Sequence, residues 1–356
     1  MNCKKATKSY ESWLAKQTLI IPEDLQQKHV QMSGDVFSFM RATFYRWVEL
    51  WENDCAELAQ APAILGVGDL HVENFGTWRD PDGRLVWGIN DFDEAFTLPY
   101  TNDLVRLAVS AHLAISAAEL TIDPAEACDA ILEGYSKTLA EGGLPFVLAE
   151  RHAWLREAVT SELRDPVKFW NKLVVLPTVE TEIPRRARKL LEAALPDDDL
   201  DYRVVHRIAG LGSLGRQRYT ALVDWRGGLM AREAKALVPS TYHWARGERH
   251  GTIQYETIIQ QAVRCPDPSV DVRKDWVVRR LAPDCSRVEL KSLPKDHAKR
   301  KLLEVMGRET ANVHLGSGRA IEKVKRDLSK RPKGWLHSAA LVMVKSTTQD
   351  WESWNA

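Results

Sequence analysis

Asp69, His71 and Asn74 form the pattern Asp-x-His-x-x-Asn within Gly68-Asp69-Leu70-His71-Val72-Glu73-Asn74-Phe75, and Asp91 follows Asp69 by 22 residues in Asn90-Asp91-Phe92-Asp93. Phosphoryl transfer needs a carboxylate to take the proton of an attacking hydroxyl, and hard oxygen ligands to hold magnesium against a chain of phosphates. The two loops contain both. Asp69 suits the base, Asn74 and Asp91 suit the metal ligands, and Asp93 is a further carboxylate on the second loop. Residues 84–89 read as a strand ending at Asp91, and its pairing beside the first loop would return Asp91 to Asn74. Two other readings compete. Gly-Asp and Asn-Asp are ordinary turn dipeptides, with His71 then a satisfied structural histidine. A metallophosphoesterase also begins with Asp-x-His, but it needs further histidine motifs, and none of the remaining histidines sits in one.

A second candidate is Gly210-Leu211-Gly212-Ser213-Leu214-Gly215, where glycines would let backbone amides approach a phosphate. A dinucleotide-binding turn would open a helix after the third glycine, whereas residues 216–223 continue as a strand.

The elements that must position these loops follow from periodicity. Apolar residues at intervals of three and four predict a helix over 35–60, a short strand follows at 63–67, and Asp80-Pro81-Asp82-Gly83 is a turn. Residues 102–194 read mostly as helices, broken near 142–145, 165–166 and 176–177. Consecutive carboxylates in 196–201 favour a solvated connection and mark the best boundary candidate. Beyond it come strands at 204–208, 218–225, 228–235 and 275–281, one helix at 252–264, and a helical tail from 296 to 315. The expected division is a mainly helical lobe over 1–198 carrying the two acidic loops, a small β-rich lobe over 199–292, and C-terminal helices over 293–356 that pack back on the large lobe.

The chain has 356 residues with 44% hydrophobic, enough for one full core or a bilobal unit, which excludes a disordered chain. Lys+Arg and Asp+Glu both number 49, so bulk charge gives no argument for nucleic-acid binding. Five scattered cysteines without a Cys-x-x-Cys pair fit free thiols in a reducing compartment. The first 14 residues lack the apolar stretch of a secretion signal, and the most apolar window, 104–120, is interrupted by Arg106, His112 and Glu119 and too short to span a bilayer. A cytoplasmic protein without a membrane span is the expectation.

The two acidic loops, with Asn102-Asp103-Leu104, resemble the catalytic and metal loops of aminoglycoside phosphotransferases and choline kinases. The chain is more similar still to an uncharacterised bacterial kinase-like family known only as a domain of unknown function, through those motifs together with Phe39-Met40-Arg41 and Arg106-Leu107-Ala108-Val109-Ser110. The resemblance covers roughly residues 33–115 and 203–316. It implies an α+β, bilobal protein-kinase-like fold in which Gly210, Gly212, Ser213 and Gly215 cover the phosphates of ATP. Lys235, 20 residues past Gly215, would grip them, Glu256 on the next helix would pair with that lysine, and 276–283 would be the strand and hinge against which an adenine packs. Asp103 would tie its helix to the catalytic loop. The glycine loop follows Asp91 by 119 residues instead of preceding it, so the fold implied is circularly permuted, with the helical lobe first and the nucleotide lobe second.

The leading functional expectation is an ATP- and magnesium-dependent phosphotransferase acting on an unidentified hydroxyl acceptor, with nucleotidyl transfer open to the same residues. The second is a kinase-like module that holds nucleotide as a signal without turnover, and the third a metal-dependent phosphoesterase. Arg41 and Arg46 are further candidates for holding phosphate, because guanidinium binds it bidentately. Residues 291–333 hold 13 Lys/Arg against 5 Asp/Glu, and 185–189 is a second basic cluster; either is a solvated helix face or a surface for an acidic partner. Of the 13 tryptophans, Trp351 and Trp354 in the tail are the hardest to place in a core and should dock on the chain's own surface or on a partner.

Overall fold

A computed structural model of the chain describes residues 2–159, 165–197, 199–285 and 297–356. The first half is mostly helical. Helices α1 (Cys3–Leu14), α2 (Pro22–Gly34), α3 (Val36–Ala42) and α4 (Phe44–Asp54) lead into strand β1 (Ala63–Gly66), the hairpin β2 (Phe75–Arg79) and β3 (Leu85–Ile89), and β4 (Phe96–Pro99). Then come α5 (Tyr100–Ser116), α6 (Pro124–Glu141), the short strand β5 (Phe146–Val147), α7 (Ala153–Val159), α8 (Pro166–Val174) and α9 (Arg185–Ala193). Strands β6 (Arg203–Val205), β7 (Arg218–Trp225) and β8 (Gly228–Ala236), helices α10 (Thr241–Ala245) and α11 (Tyr255–Gln261), and strands β9 (Asp271–Arg273) and β10 (Trp276–Leu281) follow. Helices α12 (His297–Leu315), α13 (Ile321–Leu328) and α14 (Trp335–Asn355) close the chain. The fold is α+β.

The single helix expected over 35–60 is interrupted at Thr43. Its hydroxyl donates to the Phe39 carbonyl at 2.7 Å, an alternative to the helical ladder that bends the chain, and α4 restarts at Phe44. The break turns Arg41 and Arg46 to different surroundings.

All sheet pairings among the described residues are antiparallel. β1 pairs with β4, β3 lies between β2 and β5, and the sheet of the small β-rich region runs β6-β7-β8-β10-β9. Alternation along its strands gives that sheet two distinct faces. Tyr219, Ala221, Ala234, Ala236, Trp276 and Val278 pack on Ala187 and Leu191 of α9. On the other face Leu222, Ala231 and Leu281 pack on Leu173 of α8 at one end, and Arg218, Glu233, Lys235 and Arg279 meet at the other.

Helices α8 and α9 need an apolar partner for Leu173, Ala187 and Leu191, and the five-stranded sheet supplies it, so residues on both sides of the acidic stretch pack together. In the acidic stretch Pro196, Asp197, Asp199 and Asp201 are exposed; Asp198, like the expected boundary at 292/293, lies outside the described residues. After the small sheet, Leu302, Leu303, Met306, Leu336 and Met343 of α12 and α14 join Leu104, Ala108, Ile131 and Tyr135 of α5 and α6 in the main core. The tail tryptophans dock on the chain itself, Trp351 and Trp354 packing near Cys3, Met32, Phe39 and Leu211. No helix among the described residues is long and apolar enough to cross a membrane.

Candidate active site

Helix α5 organises the first acidic loop. Asp103, Arg106 and Ser110 stand three and four residues apart, one stripe of the helix, and each holds a different part of the loop. The Asp103 carboxylate accepts from the backbone N–H groups of Val67 at 2.6 Å and Gly68 at 2.9 Å, and meets His314 Nε2 at 3.0 Å. Arg106 donates through Nε to Asp69 Oδ1 at 2.8 Å, and its Nη2 contacts the same oxygen and the Met40 carbonyl. Its guanidinium lies against the rings of Phe44 and Trp47, at 4.8 and 4.9 Å from their centres. Ser110 Oγ accepts from Val72 N–H at 3.0 Å. Gly68 has φ +82°, and a Cβ there would fall 2.4 Å from the Glu94 carbonyl oxygen, so both backbone and space require glycine.

The second loop is tied to the first. Asn90 N–H donates to the Asn74 carbonyl at 3.0 Å, and Asn74 Nδ2 donates to the Asp69 carbonyl at 2.9 Å, which fixes the orientation of the amide. Lys235, from the small sheet, reaches Asp93 Oδ1 at 2.7 Å and Asp91 Oδ1 at 3.4 Å. Burial opposes charge on both carboxyls. At Asp91 the charges of Lys235 and Arg279 outweigh it and hold the carboxyl below its ordinary value. At Asp93 burial and the neighbouring Asp91 prevail and raise it. Burial likewise raises Asp69, against the pull of Arg106.

Beside these groups opens a cleft of about 420 Å³, and Lys235 is not among its lining residues. Asp69, Asn74, Asp91 and Asp93 line it, as do Gly210, Gly212 and Ser213. Gly212 packs so closely that a Cβ would meet the Arg41 carbonyl at 3.1 Å and Asp69 Oδ2 at 3.3 Å. Gly215 lies outside the lining and turns, at φ +92°, against Leu25 of α2. Glu256 is not brought to Lys235. It lines a separate cavity of about 470 Å³ with Trp78, Tyr255 and Arg264, bonded to Gln260, because α11 packs its buried face toward the main core and the Asp91/Asp93 pair occupies the lysine. The two cavities share Asn90 and Cys285.

Lys28 and Arg216, two charged groups of the cleft, carried no legible signal. Lys28 of α2 is buried with Nζ 3.2 Å from the Gly212 carbonyl, and burial, with Arg216 beside it, lowers its pKa to about 8. Arg216 contacts Asp93 and Glu94 at 3.3 Å each. Arg41 lines the cleft and pairs with Glu73 at 2.6 Å, whereas Arg46 turns away to Asp350 and Glu49. On the small sheet Glu233 is fully buried among Arg207, Arg218 and Arg279, whose charges overcome burial and hold it well below the usual carboxylate range. The basic C-terminal segment, from 297 onward, partly meets the chain's own acids: Arg300 pairs with Glu133 at 2.7 Å and Arg308 with Glu141 at 3.4 Å. Residues 291–296 lie outside the described residues.

Behind the second loop, buried Glu309 of α12 accepts from Ile89 N–H at 3.2 Å and Asn312 Nδ2 at 3.0 Å, and burial raises its pKa to about 7. Unfolded, this carboxyl loses its proton near 4.5, so between about 4.5 and 7 unfolding releases a proton and stability falls as pH rises, levelling above 7. Relative to Glu309→Gln, the wild type should lose about 2–3 kcal/mol between about pH 5 and pH 8, read by urea unfolding at both. Parallel pH profiles for the two proteins would show that Glu309 is already ionised in the fold.

Residues 20–164 match the model of a family described as an uncharacterized protein conserved in bacteria (DUF2252). The matched stretch is that of a domain of unknown function; it contains Asp69, Asn74, Asp91, Asp93, Asp103 and Arg106, and ends before the small sheet. No curated protein and no solved structure matches the chain.

Proposed function

We propose that the cleft between the lobes is the site of an ATP- and magnesium-dependent phosphotransferase of the aminoglycoside and choline kinase-like type, on a circularly permuted kinase-like fold. The observation that carries this reading is the reach of Lys235, on β8, the second strand after the glycine loop, to the Asp91/Asp93 loop 144 and 142 residues earlier in the chain, beside Asp69 and Asn74. Two motifs distant in sequence thus meet at one place. The order of glycine loop, β7, lysine strand β8, helices α10 and α11, and strand β10 is the one the resemblance implies for a nucleotide lobe.

Asp69 is placed to take a proton from an acceptor hydroxyl, oriented by Arg106 and kept in the first loop by Asp103. Asn74, Asp91 and Asp93 offer hard oxygen donors on one wall, a set that fits magnesium. When bound there, the metal would neutralise charge on the transferring phosphates. Lys28, Arg41, Arg216 and Arg279 line the same cleft and suit a polyanion. Among the cleft's lining residues His71 is the sole histidine, with Nδ1 facing the Glu73 N–H at 3.2 Å, which gives little support to a histidine-built phosphoesterase centre. One observation favours the nucleotide-holding module: Lys235 is covered, held by Asp91 and Asp93 instead of lying open to the cleft.

The test is the melting temperature with and without magnesium-ATP for the wild type, Lys235→Ala and Asp91→Ala. At a hundredfold excess over Kd, binding should add about 2.7 kcal/mol, a rise of roughly 5 °C for a chain of this size. Both variants should lose the rise while their circular dichroism stays that of the wild type. A wild type indifferent to saturating nucleotide would remove both nucleotide readings.

A further inference from the structure

A second cluster of ligand-type side chains lies in the helical lobe, on residues that the cleft does not use. His112 of α5, Cys128 of α6 and His337 of α14 converge so that one ligand atom from each lies within 4.8 Å of the others. His112 Nε2 stands at the centre, 3.5 Å from Cys128 Sγ and 3.3 Å from His337 Nδ1. A single ring nitrogen can share only one in-plane hydrogen at a time, so ordinary hydrogen bonding satisfies one of these two approaches and leaves the other atom facing a lone pair. A cation satisfies all three.

The distances from His112 Nε2 to its two neighbours match zinc. With Zn–N of about 2.05 Å and Zn–S of about 2.3 Å, tetrahedral ligation puts two nitrogens about 3.3–3.4 Å apart and a nitrogen and sulfur about 3.5–3.6 Å apart. Two imidazoles and one thiolate are also the ligand types that a borderline-soft d¹⁰ ion prefers over the oxygen-seeking magnesium of the cleft. Cys128 and His112 are buried while His337 is half-buried, which leaves the outward side for a water as fourth ligand. We infer that His112, Cys128 and His337 form a zinc site that clamps α5, α6 and α14 together. Binding replaces the thiol proton of Cys128, which leaves to solvent as the Zn–S bond forms, while His112 and His337 bind as neutral rings through a nitrogen lone pair. The ion would fix α5 two turns from Arg106, the residue that orients Asp69.

The experiment uses the full-length protein, stripped of metal and titrated with Zn²⁺ against a chromophoric chelator, then with Co²⁺ as a spectroscopic substitute. The expected result is one equivalent of tightly held zinc, a rise in melting temperature, and a thiolate-to-cobalt charge-transfer band. Cys128→Ser should abolish that band, and both Cys128→Ser and His337→Ala should weaken zinc binding by at least about a hundredfold, since even outer partners of zinc ligands cost 10–100-fold when removed. His337 is half-buried and near the start of α14, so its truncation should leave the fold intact by circular dichroism. Cys265→Ser and Cys285→Ser, in partly exposed thiols elsewhere, should bind zinc like the wild type. A protein that takes up no stoichiometric zinc, a cobalt band that survives Cys128→Ser, or uptake of Cu⁺ alone would overturn the assignment. None of these readouts depends on nucleotide.

Discussion

Asp69→Asn should lower the turnover of magnesium-ATP by about 10²–10⁴-fold, the range that a positioned general base contributes. Turnover is read as ADP release in the slow reaction in which water takes the acceptor's place. Nucleotide binding, read as the melting shift, should stay within a few-fold of the wild type, because the proposed function gives Asp69 to the acceptor hydroxyl and the metal to Asn74, Asp91 and Asp93. The alternative is a structural role, and the geometry gives it substance: Asp69 Oδ1 is the anionic partner of fully buried Arg106. An asparagine there keeps an acceptor for the guanidinium and removes only the charge. If Asp69 merely anchored Arg106, the variant would lose melting temperature and nucleotide shift together, with turnover falling only in proportion. Turnover within about tenfold of the wild type would place the base elsewhere. Pyrophosphate instead of ADP as product would turn the reading to nucleotidyl transfer, and a wild type that binds without turnover would favour the nucleotide-holding module.

Much of this site was legible because loops betray themselves locally. The first acidic loop lies between two short apolar runs, β1 and β2, and the second directly follows β3, and strands β7 and β8 were readable from their alternation nearly to the residue. Asp103 was expected to tie its helix to the first loop; that Arg106 and Ser110, on the same stripe of the helix, hold two further parts of that loop was not. What sequence pattern cannot supply is tertiary choice. Lys28 sits in Pro-Glu-Asp-Leu-Gln-Gln-Lys, a stretch polar enough to read as solvated, and is buried only because the glycine loop folds onto α2. Lys235 had three acidic candidates within its own lobe, Glu233, Glu248 and Glu256, yet it pairs across the cleft. Glu233 is consumed by arginines, Glu248 meets His243, and Glu256 faces another cavity. The His112, Cys128 and His337 cluster was equally hidden, since its members come from three helices and no short motif joins them.

Glu233→Ala should destabilise the protein by about 3–5 kcal/mol at neutral pH, the cost of removing one partner from a buried ionic cluster. Its carboxylate is fully buried, and Arg218 Nη1 at 2.6 Å, Arg207 Nη2 at 2.8 Å and Arg279 Nη2 at 2.9 Å converge on its two oxygens. Removing it leaves three cations facing one another with no anion between them. The pH dependence has a definite sign. Glu233 is held well below its ordinary value of 4.5, so its stabilisation is fully present above about 4.5 and is lost as pH falls through that value toward the folded one. The gap between wild type and variant should therefore be constant near neutrality and narrow in acid, as urea unfolding at a series of pH values would show. The same cluster reaches the glycine loop: Arg218 Nη2 also donates to Ser213 Oγ at 3.0 Å, and Arg207 lies three residues before Gly210. Loosening Arg218 should therefore weaken magnesium-ATP binding as well as the fold. Glu233→Gln separates the two effects, because it keeps an acceptor for Arg218 while discharging the centre; if affinity follows the hydrogen bond, it recovers in Gln, and if it follows the charge, Gln binds as poorly as Ala.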